Sequence, residues 1–389
     1  MRVTHVITRL IVGGAQENTI ASVLGLRQKP GLEVDLIAGP TSGPEGSLVE
    51  RVKDIPRLLT IVPELVRPIH PLRDFIALRR LEKIFRERKP DIVHTHSGKA
   101  GFIGRRAAAR AGVPIIVHTI HGPSFGPFQG RLANMIFRAA ERYAGRVTTH
   151  FVAVADAMTE VYFAAGIGRR DQYSRVFSGF SLQPFLSARN ESALRARYGL
   201  STNDVVIGKI ARLFKLKGHD DLFTIAPELV KANPDVKFLI VGDGQWRGRF
   251  EALARNYALK KKIVFTGLVG PEEVAPIVGI MDVLVHLSRR EGLPRALPQA
   301  LAAGKPVVAY DCDGAREVCV ENQSGFLIKP GDLRQLSARL KQLIADAELR
   351  QQLGQKGREL VREKFSEERM VEDLYALYRT LWDENLRRK

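Results

Sequence analysis

The sequence predicts an α/β protein made of two doubly wound domains, each a parallel sheet flanked by helices. Apolar, β-branched runs alternate with helical patterns along nearly the whole chain, as expected of parallel strands joined by crossover helices. The 389 residues suffice for two cores at roughly 150 residues per domain. The alternation also breaks once, so the halves read as separate units.

In order, the first half carries VTHVIT, EVDLIAG, DIVHTH, PIIVHTI and HFVAVA. The second carries VVIGKIA, KFLIVGDG, KIVFTG, DVLVHLS and PVVAY. Runs this short and this rich in Val and Ile are the pattern of strands buried on both faces. Between the halves a polar stretch with Pro184 and Asn190 interrupts the pattern, and the boundary is expected near residues 183 to 200. The first domain is accordingly drawn as 1–183 and the second as 184–366. The closing helical pattern SEERMVEDLYALYRTLWDENLRRK is expected to cross back, so that 367–389 joins the first domain.

Hydrophobic residues make up 45% and charged residues 26% of the chain, which excludes a disordered or fibrous class. Cys312 and Cys319 are the only cysteines, too few for a disulfide framework and suited to a reducing compartment. The N-terminal MRVTHVITRLIVGGAQ scatters its basic residues through a β-like run, so it is not read as a signal peptide. No apolar run reaches the roughly 18 residues of a membrane span. A cytoplasmic protein is expected. Its formal charge of +18 favours an anionic partner: a nucleotide, nucleic acid or an acidic lipid surface.

In open α/β sheets, ligands bind beyond the carboxyl ends of strands, and the unusual residues lie there. Gly13 and Gly14 follow the first strand and open a helix, where backbone and helix N-terminus can meet an anion; a tight turn is the plain alternative. Gly242, Gly244 and Gly248 are spaced G-x-G-x-x-x-G, which is not the dinucleotide fingerprint, so no nicotinamide cofactor is expected. Arg212 and Lys217 lie in one loop of IARLFKLKGHDDL, where a guanidinium fork and an ammonium suit a diphosphate. A solvated basic turn would look the same.

His94, His96, His118 and His121 sit at strand ends, but their spacing matches no standard zinc pattern, and no metal is expected. His121, beside Gly122 in a loop, is the better site candidate, while His118 inside an apolar run reads as core. Residues 72–89 read as an amphipathic helix. Leu72, Phe75, Ile76, Leu81, Ile84 and Phe85 recur at helical spacing among arginines and lysines. A surface helix docked by its apolar face on its own sheet is the plain reading; contact of the arginines with an anionic membrane surface is the alternative, and the two are compatible.

The most specific stretch is MDVLVHLSRREGLPRALPQALAAGKPVVAYDCDG. It gives a strand, a loop carrying Glu291, Gly292, Leu293 and Pro294, a Leu/Ala helix stopped by Gly304, and a next strand. An adjacent helix N-terminus would keep Glu291 ionised and able to accept from sugar hydroxyls; an acid that merely stabilises the helix is the alternative.

Taken in order, GGAQ, DIVHTHS, TIHG, ARLFKLKG, VGDG, the EGLP loop, AAGKPVVA and ENQSGFLIKPGD resemble the retaining glycosyltransferases of the GT-B fold, family 4, over nearly the whole chain. The resemblance implies two Rossmann-like domains facing across a cleft, with acceptor mainly on the first and nucleotide sugar mainly on the second. It implies that Gly14 approaches the diphosphate region, Arg212 and Lys217 hold the leaving diphosphate, and Glu291 binds donor-sugar hydroxyls. Gly292 and Leu293 would lie by the sugar and phosphates, and His121 near the reacting centre. The expected catalytic set is therefore His121, Glu291, Arg212 and Lys217, and the donor-binding set Gly13, Gly14, Gly242, Gly292, Leu293, Pro294 and Gln299.

Gln299 departs from the family pattern, which usually has a second Glu eight residues after the first, bonded to the nucleotide ribose. Gln keeps one acceptor and adds donors. Ala211, where Gly often precedes the Arg, and SGFS at Ser178 to Ser181, where NGVD is common, are lesser departures.

The expected activity is transfer of a hexosyl group from a UDP-linked sugar to a hydroxyl acceptor, by front-face substitution with retention. The acceptor is expected to be a saccharide or lipid-linked precursor of an envelope polysaccharide, met at the inner membrane face. No cofactor and no metal are expected. The rival readings are a GT-B sugar-nucleotide epimerase or hydrolase, and polyanion binding without catalysis. Nucleic acid is not an expected partner, since no aromatic-interleaved basic stripe is present. The sequence carries no signal for oligomeric state.

Overall fold

Strands buried on both faces are largely apolar, and the β-branched runs found in the sequence become the centres of two parallel sheets. The computed structural model describes residues 1–41, 46–126 and 128–387. It divides into two units, one of Met1–Phe180 with the chain from Ser366 onward, the other Ser181–Phe365.

The first unit contains β1 (Arg2–Ile7), β2 (Glu33–Ala38), β3 (Leu59–Ile61), β4 (Ile92–His96), β5 (Ile115–Ile120), β6 (His150–Ala153) and β7 (Tyr173–Arg175). They form one parallel sheet in the order β3-β2-β1-β4-β5-β6-β7. The second unit contains β8 (Val205–Ile210), β9 (Val236–Val241), β10 (Ile263–Gly267), β11 (Val283–His286), β12 (Val307–Tyr310) and β13 (Gly325–Ile328). Their order is β10-β9-β8-β11-β12-β13, again all parallel. Both orders are doubly wound, reversing between β1 and β4 in one sheet and between β8 and β11 in the other. Loops diverge at these switch points and leave a crevice.

The terminal helix Glu367–Arg387 belongs to the first unit. Met370, Leu374, Tyr378 and Leu381 recur every three or four residues and are buried in the same core as Val3, Ile20 and Val117. Each such side chain contributes roughly 1.5–3 kcal/mol on burial, enough to seat the helix far from its sequence neighbours. On the other face of the sheet, helices Gly98–Arg110 and Arg131–Gly145 are tied by a buried pair, Arg105 Nη2 to Glu141 Oε2 at 2.7 Å. Ser124 Oγ donates to the remaining carboxylate oxygen at 3.1 Å, which keeps that buried charge satisfied.

Residues 72–89 lie in the helix Pro71–Arg88, but the apolar stripe is not single. Leu81 and Phe85 are buried, whereas Leu72 is 64% exposed and Phe75 and Ile76 are exposed beside it. Nine residues separate Leu72 from Leu81, two and a half turns at 3.6 residues per turn, so the two face opposite ways. The expectation that the whole apolar set docks on the sheet is corrected accordingly. Among the described residues no helix is long and apolar enough to cross a membrane.

Candidate active site

In the second unit, the loops after β8, β9 and β11 are knitted together by backbone bonds. Leu213 N donates to Asp243 O and Trp246 N to Leu213 O, both at 3.0 Å, while Arg289 N donates to Leu216 O at 2.8 Å. Gly242 permits this approach. Its φ is 122°, and a Cβ there would fall 2.6 Å from Ala211 O. The structure thus gives Gly242 a packing task at the loop where the sequence placed donor binding.

Glu291 and Lys217, 74 residues apart, meet at this edge as an ion pair, with Lys217 Nζ donating to Glu291 Oε1. Ser288 Oγ donates to the same oxygen at 2.7 Å, and His286 Nε2 lies 3.5 Å from it. The Glu291 backbone N–H donates to Asp313 Oδ2 at 2.6 Å, fixing the loop. Burial by itself pushes the Glu291 carboxyl up, but the Lys217 ammonium and His286 outweigh it and hold the group well below the usual carboxylate range. Glu291 Oε2 has no partner among the described residues. The carboxylate is charged, oriented by one oxygen and open at the other.

One expectation changes here. The helix proposed to keep Glu291 ionised is Ala296–Ala302, which begins five residues later. A helix dipole acts only within about its first turn, so the ammonium is the physical cause. Lys217, expected beside Arg212 on a diphosphate, is ion-paired with Glu291. Arg212 is exposed, with its guanidinium over the Phe214 ring at 5.2 Å and no acidic partner among the described residues.

Behind the pair, Lys209 of β8 is buried, and burial together with Lys217 pushes its ammonium down to about 7. His219, first residue of the helix His219–Ala232, is also buried, and both its ring nitrogens lack hydrogen-bond partners among the described residues. Gly292, Leu293 and Pro294 are buried, with Gly292 O accepting from Gly314 N at 3.0 Å. Gln299 is half-buried on its helix, and its side-chain amide has no partner among the described residues.

In the first unit, Gly13 caps and Gly14 opens the helix Gly14–Arg27 after β1, at the switch point of that sheet. His121 is half-buried in the loop after β5, its Nε2 3.1 Å from His96 Nδ1. His118 faces the other side of the sheet, bonded to Thr95 Oγ1 at 2.9 Å, as a core histidine. His94 and His96 are buried and joined by His5, which the sequence did not single out; ligand atoms of these three lie within 4.8 Å of one another. The register that pairs His5 with His94 makes this group, and nothing in VTHVIT alone announces it.

A second feature missed in the sequence is the helix Arg131–Gly145. Leu132, Met135 and Ile136 share one face and are exposed, Leu132 by 67%. Arg131, Arg138 and Arg142 stand alongside. The i, i+3, i+4 spacing in RLANMIFRAAERYAG was the available signal.

A family model described as Glycosyltransferase Family 4 matches residues 12–172, and one described as Glycosyl transferases group 1 matches 190–360. The chain is 29% identical over 340 residues to the UDP-Gal:alpha-D-GlcNAc-diphosphoundecaprenol alpha-1,3-galactosyltransferase of Escherichia coli, covering 86% of this chain and 85% of that one. It is 31% identical over 323 residues to the GDP-mannose-dependent alpha-mannosyltransferase of Mycobacterium tuberculosis, covering 81% and 80%. Among solved structures, Anabaena HepE in complex with UDP and glucose aligns with a TM-score of 0.82 at 20% identity, over 98% of this chain and all of that one. These relatives favour sugar transfer over the epimerase reading. The matches span both sheets in order, and with the four-fifths coverage of a relative above 30% identity the protein belongs to glycosyltransferase family 4, as a transferase with the α/β GT-B fold.

Proposed function

We propose that the protein moves a hexosyl group from a UDP-sugar to a hydroxyl of a lipid-linked saccharide, with retention of anomeric configuration. The carrying observation is the Lys217–Glu291 pair, which locks one carboxylate oxygen and leaves Oε2 to accept from a donor-sugar hydroxyl. Arg212 supplies an uncommitted fork for the departing diphosphate, and Lys209 and Lys217 add positive field where that charge develops. The diphosphate then takes the proton of the incoming hydroxyl on the same face of the sugar. His121, on the first unit, is proposed to bond a substrate hydroxyl.

The UDP donor and lipid-linked acceptor are supported by the E. coli relative, whose name carries both, and by the UDP-bound Anabaena structure. A peripheral position on an anionic membrane is supported by the exposed Leu132, Met135 and Ile136 beside Arg131, Arg138 and Arg142, and by Leu72, Phe75 and Ile76 among basic residues. Apolar side chains for the interface and arginines for the headgroups are the combination such a surface recognises.

One assay tests the set. The protein is incubated with UDP- and GDP-sugars and a diphosphate-lipid-linked saccharide carried in anionic or neutral vesicles, and the product linkage is read by NMR. A retained linkage from a UDP-sugar, formed faster on anionic vesicles at low salt, is expected. An inverted linkage or a GDP-sugar preference overturns the donor and mechanism, and equal rates on both vesicles overturn the membrane position.

A further inference from the structure

We propose that Tyr378, His94, His5 and His96 form a hydrogen-bond relay that fixes which ring nitrogen of His121 carries its proton. The links are continuous. Thr119 Oγ1 lies 2.6 Å from His94 Nε2, His94 Nδ1 2.5 Å from Tyr378 Oη, and Tyr378 Oη 3.2 Å from His5 Nε2. His5 Nδ1 then lies 2.9 Å from His96 Nε2, and His96 Nδ1 3.1 Å from His121 Nε2.

The sequence builds this line by two periodicities. His94 and His96 are two apart on β4 and so share a face, and His5 of the adjacent parallel strand β1 is in register with His94. Tyr378 reaches that face from the terminal helix, 284 residues from His94 in the chain. Neighbouring rings stack or tilt at 4.5 to 5.3 Å between centroids. All six ring nitrogens of His5, His94 and His96 are used within the line, so no ion is needed to satisfy them.

Proton counting gives the consequence. Burial pushes His5 down to about 3 and holds His94 and His96 well below the usual histidine range, so each ring carries one proton. A neutral imidazole has one donor and one acceptor nitrogen, and each link holds one hydrogen. With the Tyr378 hydroxyl hydrogen kept within the line, two arrangements satisfy every link. Either all donate toward Thr119, so that His121 holds a proton on Nε2, or all donate toward His121, so that its proton sits on Nδ1. His121 cannot exchange its ring proton without a reorganisation of the line, so the polarity it offers a substrate hydroxyl is set by the line. The relay residues are positioning residues, and this inference rests on the reading of His121 as a site residue.

Tyr378→Phe keeps the ring and removes the one oxygen that joins His5 to His94. Imidazole nitrogen–proton correlation spectra of the parent should show His121 as a single tautomer. In Tyr378→Phe both tautomers should be populated, with kcat lower by roughly tenfold and KM for the nucleotide sugar unchanged. Thr119→Val, which removes the far end of the line with little change of shape, should move both readouts the same way and serves if the first variant fails to fold. His121→Ala separates the two claims. If it transfers sugar as well as the parent, the role of His121 falls. If it is impaired while Tyr378→Phe keeps both a single His121 tautomer and full kcat, the relay alone is overturned, as it would be by one tightly bound metal ion per chain held by His5, His94 and His96.

Discussion

The two units bury polar groups at the switch points of their sheets in opposite ways. The first uses the neutral rings of His5, His94 and His96 with the hydroxyls of Thr119 and Tyr378, which satisfy one another in a line that reaches His121. The second uses charges set against one another, Lys217 against Glu291, with Lys209 and His286 close behind. A hydrogen-bonded line of neutral groups has direction but little field, whereas opposed charges have field and a fixed protonation state. The first suits the orientation of a hydroxyl proton and the second the departure of an anionic leaving group.

The largest effect is expected where the second unit's charge balance is broken at Glu291, a partly open carboxylate. Glu291→Ala removes the acceptor and leaves Lys217 unpaired, and transfer should fall by at least about a hundredfold, the scale of losing an oriented charge at a reacting centre. UDP affinity, read by calorimetry, should change little, because Arg212 and the backbone loops are untouched. Full turnover in this variant would end the assignment of Glu291 to the donor sugar. Glu291→Gln, which keeps an oxygen but not the charge, should fall between the two.

A smaller effect sharpens the contrast from the stability side. Lys209 is a buried ammonium whose pKa is lowered to about 7 from the usual 10.5, first by burial and then by Lys217. Below pH 7 folded and unfolded chains both carry the proton, and the folded state bears the full penalty. Between pH 7 and 10.5 the unfolded chain binds a proton that the folded one does not, so stability rises with pH. Lys209→Met should therefore raise the melting temperature by about 5 °C at pH 7, and the gap to the parent should narrow toward pH 10. A gap that is constant across that range would show that Lys209 carries no such penalty. No comparable gain is expected from changing His94, because the neutral rings are already satisfied.

The same contrast explains what could be read from the sequence. Runs such as EVDLIAG and PIIVHTI are continuous, β-branched and bounded, and each became a strand; β3 and β7, with three residues each, are too short to show a period. GFLI, which forms β13, is four residues long and as a pattern fits a loop end equally well. Glu291, Lys217 and Arg212 were legible singly because they follow strands. Their partnership was not, because it closes over 74 residues. His5 was hidden inside a strand, and Tyr378 inside a helix whose apolar period it merely continues. Pairings across a fold depend on register and packing, which local pattern does not encode.

Gln299 offers the smallest and most discriminating change. It lies on the helix that follows the Glu291 loop, half-buried, with an amide that no described residue engages. A ligand hydroxyl pair at that amide would meet one acceptor oxygen and a nitrogen that can only donate, whereas a carboxylate accepts from both hydroxyls with charge-assisted bonds about twice as strong. Gln299→Glu should therefore tighten UDP binding by about threefold, close to 0.7 kcal/mol, and leave the Lys217–Glu291 chemistry and kcat unchanged. Weaker UDP binding in the variant would mean that the amide donates to the native nucleotide, making residue 299 a selector of donor and not a diminished copy of the family's acid.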